Sequence, residues 1–140
     1  MFIYYVYQFM NEEAILKATA LEKQYNELQE NLHLVNNQIS ELEQFKESLE
    51  FLIKSEKKEI LSSLGKGVYI KTTLEDRNEL FVGVGTNVIV KKTPEETLKL
   101  VGNQITKLKE ASTQISFQLE NYARQLQDLI NSMQKSNSWR

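Results

Sequence analysis

The chain has 140 residues, 41% of them hydrophobic and 26% charged, with 17 Lys and Arg against 19 Asp and Glu for a net charge of −2. That length suits one domain, and that balance fits neither a disordered chain nor the clustered basic surface a nucleic-acid backbone requires. There is no Cys and a single His, His33; disulfides, thiolate chemistry, a His-built metal site and a proton relay all lack their parts, so neither an enzyme nor a bound cofactor is expected.

Residues 1–9, Met1 to Phe9 (MFIYYVYQF), are apolar and aromatic. They lack the basic start and small-residue cleavage site of a secretory signal. Met10 and the polar Asn11-Glu12-Glu13 follow. Met10 is read as the natural start, with residues 1–10 set apart as an extension ahead of the folded part. No apolar run approaches the ~20 residues of a spanning helix, so no membrane partner is expected. The absence of Cys fits a cytoplasmic protein.

A first helix is expected over residues 11–56. Ala14, Ala18, Leu21, Tyr25, Leu28, Leu32, Val35, Ile39, Leu42, Lys46, Leu49 and Ile53 recur at alternating steps of four and three. Only Lys46 interrupts the apolar seam. A repeat of 3.5 residues held this long is a coiled coil with a left-handed supercoil.

Residues 57–92 change period. Val68, Ile70 and Thr72 alternate with Tyr69 and Lys71, and Leu80, Val82 and Val84 with Phe81 and Gly83; Val88 and Val90 flank Ile89. β-Branched residues at a spacing of two read as strands. Gly65-Lys66-Gly67 and Gly85-Thr86-Asn87 read as tight turns. With Glu59 to Leu64 extended as well, the segment is two β-hairpins. Some 35 residues of sheet with free edges are not stable alone. Pairing those edges with strands of other subunits, as a shared barrel, solves both problems, so an oligomer built through the hairpins is expected. Gly83-Val84-Gly85 lacks the following helix and the Lys-Ser/Thr of a phosphate loop and reads as sheet.

A second helix is expected over residues 93–135, with a tail at 136–140. Thr93, Pro94 and Glu96 form a T-x-x-E capping box with proline at the first helical position. Leu98, Val101, Ile105, Leu108, Ser112, Ile115, Leu119, Tyr122, Leu126, Leu129 and Met133 make the seam, with Ser112 its one polar member. Lys46 and Ser112 set register or mark local loosening. Glu13–Lys17, Glu50–Lys54, Glu95–Lys99 and Glu120–Arg124 are i,i+4 pairs on outer faces. Nearly equal seam lengths predict two arms folded back antiparallel within the chain, with pairing between chains as the alternative, each arm roughly 55–65 Å long at ~1.5 Å per residue. The fold class is mainly α with a small β module: a two-helix antiparallel coiled coil joined by two β-hairpins that build a shared β-barrel in the oligomer.

The stretch Glu59-Ile-Leu-Ser-Ser-Leu-Gly-Lys-Gly-Val-Tyr-Ile-Lys71, followed by Leu80-Phe-Val-Gly-Val-Gly-Thr-Asn-Val-Ile-Val-Lys-Lys-Thr-Pro-Glu-Glu-Thr97, resembles the central block of the archaeal prefoldin alpha family. The segment Gly83 to Lys92 carries the most specific part, and the order helix–two hairpins–helix is that of the alpha type. The chain departs from the family at Ser62-Ser63, where a proline often stands. The resemblance implies a hexamer of two alpha and four beta subunits (alpha2 beta4). It implies a body of β-barrels with six projecting coiled coils, and tips that capture unfolded client proteins without ATP and deliver them to a group II chaperonin.

On that basis the client-binding tips are expected at Ile15, Leu16, Leu21, Leu126, Leu129, Ile130 and Met133. The same residues also read as ordinary seam. Subunit assembly is expected at Val68, Ile70, Leu80, Val82, Val84, Val88 and Val90. Trp139 reads as part of the tail and His33 as solvent-exposed. A structural filament or tether of the same outline is the alternative function; an enzyme or nucleic-acid module lacks residues to carry it.

Overall fold

The computed structural model describes residues 12–138; the expectations for residues 1–10 and for Trp139 lie outside them. Helix α1 runs Glu12–Lys54, and helix α2 runs Pro94–Ser138. Neither contains an internal proline, and α1 has no glycine, as long helices require. Glu12 and Glu13 open α1 and Lys54 closes it, the charge order that suits a helix dipole. The capping box at α2 is complete. The Thr93 N–H donates to Glu96 Oε2 (3.3 Å) and the Glu96 N–H donates to Thr93 Oγ1 (3.1 Å). Two helix-end donors are thereby satisfied at once.

Four strands lie between the helices: β1 Glu59–Gly65, β2 Val68–Thr73, β3 Leu80–Gly85 and β4 Val88–Lys92. They form two separate two-stranded antiparallel sheets, β1–β2 and β3–β4. Glu59 to Leu64 is therefore extended. In the first turn Lys66 (φ 51°) and Gly67 (φ 79°) both take positive φ, the sign that a primed two-residue turn demands. The register shifts between Ser63 and Gly65 in one hairpin and between Gly83 and Gly85 in the other. Adding 20 to each number of the first hairpin gives the second: Leu61↔Lys71 becomes Phe81↔Lys91, and Ser63↔Tyr69 becomes Gly83↔Ile89. Glu59, Gly65, Val68, Lys71 and Thr73 keep their identities as Glu79, Gly85, Val88, Lys91 and Thr93. The β module is thus two copies of one hairpin.

The described chain falls into two compact units, residues 12–38 with 108–138, and residues 39–107. In the first, Leu21 is buried and the other seam positions on both helices are half-buried. Ser112 Oγ donates to Asn36 Oδ1 (3.1 Å), which brings α2 alongside α1. A shallow groove bounded by Lys17 on α1 and by Gln125, Asp128, Leu129 and Ser132 on α2 fixes the direction: a lower number on one helix faces a higher one on the other, so the pairing is antiparallel. In the second unit Leu49, Val101 and Ile105 are buried, with Ile39, Leu42, Lys46, Ile53 and Leu98 half-buried. Two hydrogen bonds tie the segment after β2 to the segment between α1 and β1. The Leu74 N–H donates to the Lys58 carbonyl (2.7 Å), and Arg77 donates to the Lys57 carbonyl. A fully buried Leu contributes about 1.5–3 kcal/mol, and half-buried positions less, so long arms must sum many small terms.

Candidate functional site

Two surfaces are left over once each seam has been satisfied. The first lies near the free ends of the paired helices. Leu16 is 71% exposed and Ile130 42% exposed, both one or two residues off the seam. Ile15, Leu126, Leu129 and Met133 are half-buried beside them. Leu21, by contrast, is 7% exposed and packed into the seam. Leu129 shares the groove with Lys17 and Asp128. Leu16, midway between Ala14 and Ala18, points away from the seam, whereas Ile130 flanks it.

The second surface is the hairpin pair. Strand alternation and the cross-strand register put Val68 and Ile70 on one face of the first hairpin with Ile60, Ser62 and Thr72. Leu80, Val82, Val84, Val88 and Val90 share the corresponding face of the second. Toward the helix-proximal ends this face is half-buried at Leu80, Val82 and Val90; toward the turns Val68, Ile70, Val84 and Val88 are exposed. In the first hairpin its polar members satisfy each other. The Thr72 hydroxyl donates to the Ile60 carbonyl (3.3 Å) and accepts from Ser62 (2.8 Å). Among the described residues each sheet has two strands, so both outer edges present backbone groups unpaired by any of them.

The opposite hairpin face was missed in the sequence. Leu61 and Tyr69 in one copy, and Phe81 and Ile89 in the other, are all more than half exposed. Their signal was present: these strands are apolar at both parities, a pattern of sheets covered on both sides. The rims carry ion pairs, Lys71–Glu59 at 3.1 Å and Lys91–Glu79 at 3.8 Å. His33 is exposed, its Nε2 lying 3.4 Å from Asn37 Nδ2. Among the described residues no three His, Cys, Asp or Glu side chains are placed to share a metal ion, and no helix is long and apolar enough to cross a membrane.

The family model for the Prefoldin subunit matches residues 21–139. The chain belongs to the prefoldin family. Prefoldin subunit alpha of Pyrococcus horikoshii is 30% identical over 102 residues, 71% of this chain and 69% of that one. Prefoldin subunit alpha of Methanococcus vannielii is 28% identical over 129 residues, 90% of this chain and 87% of that one. The fold is also that of a filamentous prefoldin from Methanocaldococcus jannaschii solved by cryo-EM, with a TM-score of 0.69 at 23% identity, covering 87% of this chain and 99% of that one. Prefoldins are a chaperone family, and these relatives make the chain a prefoldin subunit of the alpha type.

Proposed function

We propose that this prefoldin subunit acts as an ATP-independent holdase in the cytoplasm, capturing unfolded polypeptides at its coiled-coil tips and passing them to a group II chaperonin. The observation that carries this is the exposure of two large apolar side chains, Leu16 and Ile130, toward the ends of the paired helices. Ile15, Leu126, Leu129 and Met133 add to that surface when the last turns fray, and Leu21 only if the pairing opens further. Several weak apolar sites on one body hold an extended client by multivalency, and a competitor displaces them one at a time. No nucleotide is needed for that exchange. The body is formed with prefoldin beta subunits in an alpha2 beta4 hexamer, through the hairpin face with Val68, Ile70, Leu80, Val82, Val84, Val88 and Val90. Free edges on two two-stranded sheets support that assembly.

The test replaces Leu129, Ile130 and Met133 together by Ser in the assembled complex. Client capture is expected to fall with the assembly intact. Loss of the assembly instead would assign these residues a structural role and count against tip capture. A second reading, self-assembly into a filament, is favoured by the filamentous state of the Methanocaldococcus jannaschii neighbour. It is distinguished by purifying the chain alone: long polymers would support it, and a species that grows only when a beta subunit is added would exclude it.

A further inference from the structure

Leu16 is 71% exposed on a face of α1 that the coiled coil does not use. Glu12, Thr19, Ala20 and Lys23 share that outer face at helical spacing and are exposed as well. Ala20 is small, and the Thr19 hydroxyl is turned back onto the Ile15 carbonyl (2.9 Å). The middle of the face is therefore low and apolar, with Leu16 standing out of it. Glu12 bounds it at one end and the long stem of Lys23 at the other. Leu34 is the next exposed large apolar residue along the helix.

The sequence supplies an occupant for this face. Residues 1–9, outside the described residues, hold Phe2, Tyr4, Tyr5, Tyr7 and Phe9 and no charged side chain. Aromatic side chains in that density gain from apolar cover, and a tyrosine ring is a partner for the Lys23 ammonium. Met10 and Asn11 join the segment directly to α1. Nine extended residues span about 30 Å at ~3.3 Å each. At ~1.5 Å per helical residue Leu16 lies about 6 Å from Glu12 and Lys23 about 17 Å, so the whole face is within reach, whereas Leu34, about 33 Å along, is not. A short tether gives an effective concentration on the order of mM, so a weak contact suffices to keep the face covered.

We propose that residues 1–9 fold back onto the outer face of α1 at Glu12, Leu16, Thr19, Ala20 and Lys23, and so shield the tip from client. The contact stands on its own; its consequence rests on the tip-capture reading above. An uncharged aromatic segment has the chemistry of an unfolded client, so the two compete for Leu16. A chain that carries residues 1–9 keeps that residue covered, and a chain that starts at Met10 presents it bare. The choice of start thereby sets how readily the tip takes client.

The experiment compares three chains, each with a prefoldin beta subunit: the chain from Met1, the chain from Met10, and the full-length chain with Phe2→Ser, Tyr4→Ser, Tyr5→Ser, Tyr7→Ser and Phe9→Ser together. Amide hydrogen exchange over residues 12–23 reads the contact, and light scattering of a chemically unfolded client reads its consequence. Slower exchange is expected in the chain from Met1 than in the other two, and dilution leaves it slow because the contact lies within one chain. The other two chains are expected to suppress aggregation at a lower concentration than the chain from Met1. The proposal is overturned if exchange over residues 12–23 is the same in all three, or if the protection fades on dilution, which would place the segment on another copy. It is equally overturned if the chain from Met1 suppresses aggregation as well as the others or better, which would make residues 1–9 neutral or a client-binding element. Should none of the three suppress aggregation, the holdase reading fails on its own, and the exchange rates still decide the docking.

Discussion

At the scale of single residues, the clearest feature is the Thr93–Glu96 capping box. It is legible in four letters because each side chain bonds a backbone group three residues away. Thr93→Ala is expected to cost about 1 kcal/mol, read as a lowered melting temperature by circular dichroism, while Thr93→Ser keeps the bond and changes little. Lys66 is the opposite case. Its φ of 51° suits Gly or Asn far better than Lys. Lys66→Asn is expected to raise the stability of the chain by up to about 1 kcal/mol; an unchanged or lowered melting temperature would show that the turn tolerates lysine without strain. The letters Gly65-Lys66-Gly67 mark the turn, but not that Lys66 shares the positive φ of both its glycine neighbours; that depends on the bulge beside it, and a bulge has no letter of its own.

At the scale of elements, the seams were legible and the second hairpin face was not. None of the seam positions is exposed, down to Lys46 and Ser112. A heptad is a local rule repeated, so it survives without knowledge of the partner. The interruption at Ser112 has a partner, Asn36 (3.1 Å), that no spacing could have named. Ser112→Leu is expected to stabilise the coiled coil by about 1 kcal/mol through added apolar burial, because exposed Asn36 can return to water; denaturant unfolding at unchanged m-value would measure it. A fall in stability would mean that the Ser112–Asn36 bond sets the pairing more than the apolar seam does. For strands, period-two reading takes one parity as inside and assigns the other to solvent. Phe81 and Ile89 were passed over for that reason, although their size alone argues for a partner. The duplication of the hairpin was visible as Glu59 to Thr73 against Glu79 to Thr93, yet its meaning appears only once the two registers are found to match.

At the scale of the molecule, a prefoldin chain alone is incomplete. Among the described residues the two small sheets have open edges, and Leu16 and Ile130 stand exposed toward the ends of the paired helices. A narrow seam buries little apolar surface per turn. We propose that beta subunits complete the hairpins and that unfolded clients cover the exposed residues of the helix tips. This central claim is tested most directly by light scattering of a chemically unfolded client diluted into buffer without ATP. The samples are this chain alone, a prefoldin beta subunit alone, and the two mixed in the alpha2 beta4 proportion. Suppression of aggregation by the mixture beyond either component is the expected result. Equal aggregation in all three samples would contradict the chaperone function and leave the chain a structural subunit.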